Sequence, residues 1–343
     1  MNQTLKKGEA TEEILREYFL KLGYFVVRSI PYKYNQFDVT DVDIWLYSRP
    51  SPLTRERTNV DIKRKKTPQA LERIFWAKGL QQVLSLERCV VATTDTRPDV
   101  REFGLGNDVI VLDGNFLKRL VKNHPDKNSR LNEEELIDLI EHDSFGKFGG
   151  DWKSKFFASK SNLLNKLNFD GCNEWLLDIK YFMEQSIVSA NQSSGALRLL
   201  YITTSFFLIG FDYVAGSSVF LDSDVRFKIL TEGFRYGQKG ETTSDAITNV
   251  ATKFLKAVVP DAATQSLRAE LSKQFNEIPV QIIVEFFQKP KNMQELINIA
   301  KNFEAFGYAK EFTFPKDLPS HLQGMLGLLC DFNSIDRKKI LSL

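Results

Sequence analysis

The stretch from Thr40 to Lys66 constrains this chain more than any other. It contains Asp41-Val42-Asp43-Ile44-Trp45-Leu46-Tyr47, then an arginine-rich loop, then Thr58-Asn59-Val60-Asp61-Ile62-Lys63-Arg64-Lys65-Lys66. Both runs are rich in β-branched and aromatic residues with a period of two, and a Pro/Ser/Thr cluster separates them, which predicts a hairpin. Side chains two apart on a strand share a face, so Asp61 and Lys63 point the same way. With the strands in the obvious register, Asp43 faces the same space. Two carboxylates and an amine at one spot are costly, because like charges repel and burial penalises each of them. A divalent cation with oxygen ligands removes both objections. The plainer alternative is an exposed hairpin with ordinary surface charges. Context separates this stretch from a second copy of its tripeptide: Asp178-Ile179-Lys180 lies within Trp175 to Phe182, a helical pattern, and reads as a solvated helix charge pair.

Upstream, Lys6 to Leu22 has the spacing of an amphipathic helix, with Ile14, Leu15, Tyr18, Phe19 and Leu22 on one face and Gly23 as the stop. Projected backward, that face reaches Glu12, a carboxylate on the side that must pack on a sheet. A buried carboxylate needs a partner, and a cation beside Asp43 and Asp61 supplies one. Alternatively, Glu12 is a first-turn residue favoured by the helix dipole. Tyr24 to Ile30 reads as a strand, and Pro31 to Asp38 as an aromatic loop. Between the hairpin strands, Arg49, Arg55 and Arg57 with Pro50 and Pro52 form a loop equally suited to touching phosphates and to being a solvated tip. Thr67-Pro68 opens a helix to about Leu84, with Leu71, Ile74, Ala77 and Leu84 apolar; Gln81 falls within the stripe and Lys78 borders it, each either reaching the cleft or, as the plainer alternative, packed or snorkelling. Cys89 to Thr94 and Val109 to Leu112 are buried-type strands separated by a short helix, Pro98 to Phe103. Helices and strands alternate, which describes an α/β unit around a mixed sheet.

At 343 residues the chain exceeds one comfortable core, so two domains are expected. Cys89, Cys172 and Cys330 are too few and too widely spaced for a disulfide framework or a zinc motif, which fits a reduced cytoplasm. The N-terminus lacks an apolar signal core, and the longest apolar run, Leu199 to Phe211, is too short to span a bilayer and reads as a buried helix; no membrane association is expected. The net charge is only +2, but residues 1–120 hold 20 Lys/Arg against 16 Asp/Glu, a local excess of +4. Pro125 to Asp151 changes composition, with a short helix over Glu133 to Glu141 and a glycine-rich linker at Gly146 to Gly150. Beyond it lie helical patterns over 156–167, 172–188, 195–211, 245–258, 262–275, 278–288, 293–306 and 321–328, with no repeat and no motif of known chemistry. His124, His142 and His321 have no partners at metal-ligand spacing.

Residues Gly8 to about Val121 resemble the PD-(D/E)xK nuclease superfamily, and most closely its Mrr-like and Holliday-junction-resolvase-like restriction endonuclease branch. The matching features are Gly8 with Glu12, the helix closing in Leu22-Gly23-Tyr24, Val42-Asp43-Ile44, Val60-Asp61-Ile62-Lys63, Val90 to Thr94, and Ile110 to Gly114. The family often has Glu or Gln where Asp61 stands, and Val39-Thr40-Asp41 replaces the branch's glycine-rich approach to its first aspartate. Asp41 also shares a face with Asp43. The resemblance implies a restriction-endonuclease-like αβββαβ core over residues 1–124, joined by a connecting helix and linker over 125–150 to a mainly α-helical part over 151–343. It implies a metal-dependent nuclease acting on DNA phosphodiesters in bacterial restriction or anti-phage defence. Asp43, Asp61 and Glu12 would hold Mg²⁺, with Mn²⁺ as a substitute, and Lys63 would serve the attacking water. Arg64, Lys65 and Lys66, with Arg55 and Arg57, would contact phosphates. The helical part would select the substrate or a protein partner, and a homodimer is among the expected assemblies. Two rival expectations stand beside this one: a catalytically silent nucleic-acid-binding or assembly module, and a nuclease acting on RNA or branched DNA.

Overall fold

The computed structural model describes residues 7–35, 37–63, 69–123, 129–143, 150–189, 194–255 and 261–343. In the first third, α1 (Lys7–Lys21) precedes three strands, β1 (Phe25–Tyr34), β2 (Phe37–Ser51) and β3 (Thr54–Lys63). There follow α2 (Ala70–Val83), β4 (Arg88–Thr93), α3 (Pro98–Gly106), β5 (Val109–Leu112) and α4 (Gly114–Lys122). The five strands lie in sequence order, with β1, β2 and β3 antiparallel and β3, β4 and β5 parallel. The expected mixed sheet in an α/β unit is therefore present.

The alternation along β2 explains the layering. Ile44 and Leu46 join Val26, Val60, Val90 and Ala92 under Leu15 and Phe19 of α1 and Leu117 of α4. The intervening Trp45 and Tyr47 point to the other face, where Phe25 and Val27 join them. On the β4–β5 side of that second face, Cys89, Val91 and Val109 are covered by Ala70, Ile74 and Ala77 of α2 and Val100 of α3. A strand buried on both faces reads as a continuous apolar run, which is what β2 shows.

β2 and β3 run further than the sequence pattern indicates. The arginine-rich segment is strand almost to its tip, with Tyr47 opposite Arg57, Ser48 opposite Glu56 and Ser51 opposite Thr54. Likewise, most of the aromatic segment after Ile30 extends β1 and β2 as a second hairpin. A helix at 114–122, absent from the sequence expectations, starts because the Asp113 carboxylate accepts a 2.8 Å bond from the Phe116 amide and so caps it.

The remainder is helical: α5 (Glu133–Asp143), α6 (Trp152–Asn165), α7 (Phe169–Ser189), α8 (Gly195–Gly216), α9 (Ser223–Tyr236), α10 (Gly240–Leu255), α11 (Asp261–Glu277), α12 (Val280–Phe287), α13 (Pro290–Tyr308), α14 (Ser320–Phe332) and α15 (Arg337–Leu341). Here α9 and the short α15 are the unexpected elements. The organiser is α8, flanked by α7 and α13. It is long and apolar enough to cross a membrane, yet 89% of its most apolar window is buried within the protein, which makes it a core helix. Its core is not private. Phe25, Val27, Trp45 and Tyr47 of the sheet belong to the same apolar cluster as Phe156, Trp175, Phe206 and Phe303 of the helices. Leu136 and Ile140 of α5 are also in it, so the connecting helix is packed rather than tethering. Of the glycine-rich linker expected at Gly146 to Gly150, all but Gly150 lies outside the described residues.

Candidate functional site

The β2–β3 register pairs Ile44 with Val60 and Trp45 with Asn59, and one step beyond the last pair Asp43 stands opposite Asp61. Alternation then puts Asp61 on the face of Asn59, which donates to the Ala77 carbonyl of α2 at 3.2 Å. Lys63 follows on the same face. The two strands part at this point, and the carboxylates sit at the fork. Asp43 turns one oxygen to the β3 backbone, accepting a 2.6 Å bond from the Ile62 amide. Asp41, two residues before it, is exposed.

Asp43 lies in an environment short of positive charge. Burial is the largest influence on its carboxyl group and raises it; the Ile62 amide opposes, Glu12 adds repulsion, and Arg73 and Lys63 compensate in part. The outcome is a carboxyl pushed up to about 6, in the range where it titrates near neutrality. These influences also establish proximity: charge on Glu12, Lys63 and Arg73 is felt at Asp43.

Asp61 is only 6% exposed and is gripped by Arg73 of α2, whose Nε donates to it at 2.8 Å and whose second nitrogen also contacts it. Arg73 in turn lies over the Trp76 ring, 5.6 Å from its centroid. Burial lowers the proton affinity of this guanidinium, with Asp43 opposing. Arg73 is the member of the cluster that the sequence expectations omitted, which looked instead to Gln81 and Lys78. Its signal was available, since it stands three residues after Ala70 and four before Ala77, inside the buried stripe of α2. Gln81 has a structural task elsewhere, donating to the Leu86 and Glu87 carbonyls and accepting from the Cys89 thiol.

Glu12 finds a partner, and it is a protein cation. Its carboxylate receives Arg28 at 2.7 Å. Arg28 is almost wholly buried and also contacts Glu13, with Glu134 of α5 at 3.5 Å. Burial works against the Arg28 charge but Glu13 and Glu12 outweigh it, so the guanidinium is held more firmly protonated than usual. A neighbouring cluster joins Arg130 to Glu304 of α13, and Lys160 of α6 to Glu133, which also accepts from the Tyr308 hydroxyl at 2.8 Å. Glu12 therefore sits at the edge of an ionic network that ties α1 to the helical layer.

Arg55 and Arg57, expected as phosphate contacts or a solvated tip, are both engaged internally. Arg55, with a side chain 7% exposed, meets Asp212 of α8 at 2.7 Å, and Arg49 and the Tyr47 hydroxyl meet the same carboxylate at 2.6 Å each. Arg57 clasps Glu87 through its side chain and backbone and lies 4.8 Å from the Tyr213 ring centre. Arg49 and Arg55, strand arginines beside a helical layer, are drawn to the nearest buried acid, and sequence spacing does not reveal that acid when it is 163 or 157 residues away. Arg64, Lys65 and Lys66 lie outside the described residues. The second Asp-Ile-Lys tripeptide is helical as expected, but its aspartate is not solvated: Asp178 is nearly buried and takes Lys155 at 2.6 Å. Among the described residues, no three histidine, cysteine or acidic side chains are arranged to hold one metal ion.

No family model matches the chain, and neither a curated protein nor a solved structure does.

Proposed function

We propose that the chain is a metal-dependent nuclease of the PD-(D/E)xK kind, hydrolysing DNA phosphodiesters, with the sheet and its flanking helices forming a restriction-endonuclease-like core. The observation that carries this reading is Asp43: a half-buried carboxyl lifted to about 6, opposite Asp61 at a strand fork, within electrostatic reach of Glu12 and Lys63. A fold gains nothing from a carboxylate left short of counter-charge, and such perturbed groups concentrate at functional sites.

The donor set suits a hard cation, since Asp43, Asp61 and Glu12 offer oxygen only. The missing positive charge at Asp43 is the second point of fit. Asp61 becomes available when Arg73 leaves it, and Glu12 when it turns from Arg28. Mg²⁺ held there would polarise the phosphodiester and make a bound water more acidic. Lys63, on the Asp61 face, would orient the attacking water or take its proton, and offset phosphate charge. The helical layer would select the substrate or a partner, and the resemblance implies a role for such a nuclease in bacterial restriction or anti-phage defence.

A catalytically silent nucleic-acid-binding module is favoured by one specific observation, the Arg73–Asp61 pair, which compensates Asp61 without a metal. Incubating the full-length protein with Mg²⁺ or Mn²⁺ and supercoiled, linear, single-stranded and branched DNA, and RNA, separates the two. The expected result is metal-dependent cleavage of DNA that Asp43→Asn and Lys63→Ala each abolish while the fold persists. Cleavage of none of these substrates, or cleavage that survives both substitutions, overturns the nuclease reading; RNA as the one substrate cut corrects the substrate class.

A further inference from the structure

A cavity of about 400 Å³ lies away from the Asp43–Asp61 fork, between the tip of the β2–β3 hairpin and helices α8, α9, α12 and α13. That is within the size range of small-molecule sites, which are mostly apolar with a few placed polar groups. Its inner surface is made of buried Leu230, Phe287 and Ala215, and prolines at 50, 52 and 290 supply flat, rigid walls. Set into this apolar lining are three arginines, Arg49, Arg55 and Arg226, and no carboxylate.

The three guanidiniums are not equivalent. Arg49 and Arg55 are held from behind by Asp212, a residue with no exposure, and Arg49 also donates to the Met293 and Gln294 carbonyls at 2.8 Å. They are fixed before any ligand arrives, so ordering them costs little on binding. Arg226 of α9 is half-buried, and among the described residues its guanidinium has no hydrogen-bond or ion-pair partner. Three cations against the single carboxylate of Asp212 leave an excess of two positive charges around an apolar cavity. Arginine is the side chain best suited to bidentate recognition of a phosphate oxyanion, and a dianion matches that excess.

We propose that this pocket binds a phosphate monoester carried on a planar apolar body, with Arg226 as the principal phosphate contact, Arg49 and Arg55 as fixed supporting charges, and the body against Phe287 and the prolines. The site is independent of the nuclease reading, and its test does not use cleavage.

Calorimetric titration of the full-length protein with adenosine 5′-monophosphate and with phenyl phosphate is expected to show binding of both. Adenosine, inorganic phosphate and benzoate are each expected to bind at least about tenfold more weakly, the scale of losing a charge-assisted contact or the apolar anchor. Arg226→Ala should weaken both phosphate esters by about tenfold or more, Arg226→Lys by less, and Val219→Trp, which adds bulk to the cavity lining, should block them. Circular dichroism of each variant shows that the fold is retained. The proposal is overturned if neither ester binds at millimolar concentration, if Arg226→Ala binds them as the parent does, or if benzoate matches phenyl phosphate.

Discussion

Asp212 and Asp43 are both strand- or helix-borne aspartates withdrawn from water, and the chain treats them in opposite ways. Asp212, with no exposure, is saturated: the Tyr47 hydroxyl, Arg49 and Arg55 converge on its two oxygens from two strands of the sheet. Asp43 receives one backbone amide, feels two cations only at a distance, and has Glu12 pushing against it. A buried acid that serves as a fastener is surrounded until its charge is matched. One that is left partly unmatched raises its proton affinity instead, which costs stability and makes it responsive to protons and cations. The contrast separates the structural acid from the candidate functional one without reference to any relative.

The most severe way to break the comparison is at Asp212. Asp212→Ala leaves two half-buried guanidiniums and a tyrosine hydroxyl facing each other across the contact between the sheet and α8, and removing the fully buried partner of an ionic cluster typically costs about 3–5 kcal/mol. Urea unfolding of the variant against the parent is expected to show a loss of that size, with Tyr47→Phe losing about 1 kcal/mol because only one hydrogen bond goes. A loss below about 1 kcal/mol for Asp212→Ala would show that water or rearrangement satisfies the arginines, and the fastener interpretation would not survive it.

At Asp43 the sign reverses. Its folded-state carboxyl titrates near 6, above the ordinary carboxylate value of about 4, so the charged form is penalised in the fold. That penalty is fully present above about pH 6 and is relieved as the pH falls through 6 toward the ordinary range, since the folded state then holds a proton that the unfolded state releases. Asp43→Asn carries no charge and can still accept from the Ile62 amide. It is expected to be more stable than the parent by about 2–3 kcal/mol at pH 8, with the difference disappearing by about pH 4. On the proposed cation site, the same logic predicts divalent-cation binding by the parent to be weaker at pH 5 than at pH 8, because cation and proton would compete for Asp43. Denaturation of both proteins across that range tests it; an asparagine variant less stable than the parent at pH 8 would mean Asp43 is a fastener too.

What the sequence revealed follows the range of the forces involved. The hairpin, the order of strands and helices from α1 to β5, and the Asp43–Asp61–Lys63 alignment were legible because alternation and register are local: Ile44 against Val60 follows from two adjacent runs. The buried nature of α8 was legible from its composition. The spacing leaves Glu12 open between a first-turn residue and a buried carboxylate in need of a partner, and it does not point to Arg28, since nothing in the spacing of a strand arginine distinguishes a solvated one from one drawn under α1. Arg49 and Arg55 hid their role for the same reason, with Asp212 supplied by a helix far along the chain. The shared core was equally hidden. Trp45 and Tyr47 are apolar strand residues in any reading, and only the packed structure shows that helices such as α6 and α8, rather than α2, cover them.

The smallest expected effect sharpens the comparison most, because it falls on the residue that makes Asp61 ambiguous. Arg73 neutralises Asp61 from a position that is itself partly exposed, with side chains 24% and 6% accessible, so solvent screens the pair and its loss is expected to cost only about 1 kcal/mol. In Arg73→Ala, Asp61 keeps its burial and loses its cation, so the fork then carries two under-compensated carboxylates instead of one. Removing a cation that occupies a ligand should make room for another. Mn²⁺ titrated into the variant is therefore expected to bind several-fold tighter than to the parent and to return the lost stability, as any ligand that prefers the folded state must. Arg73→Lys, which keeps the charge but not the two-pronged grip, is expected to fall between them. If Arg73→Ala loses stability that Mn²⁺ cannot restore, and its affinity for the ion is no greater than the parent's, then Arg73 is to Asp61 what Arg55 is to Asp212, and the fork is a second fastener.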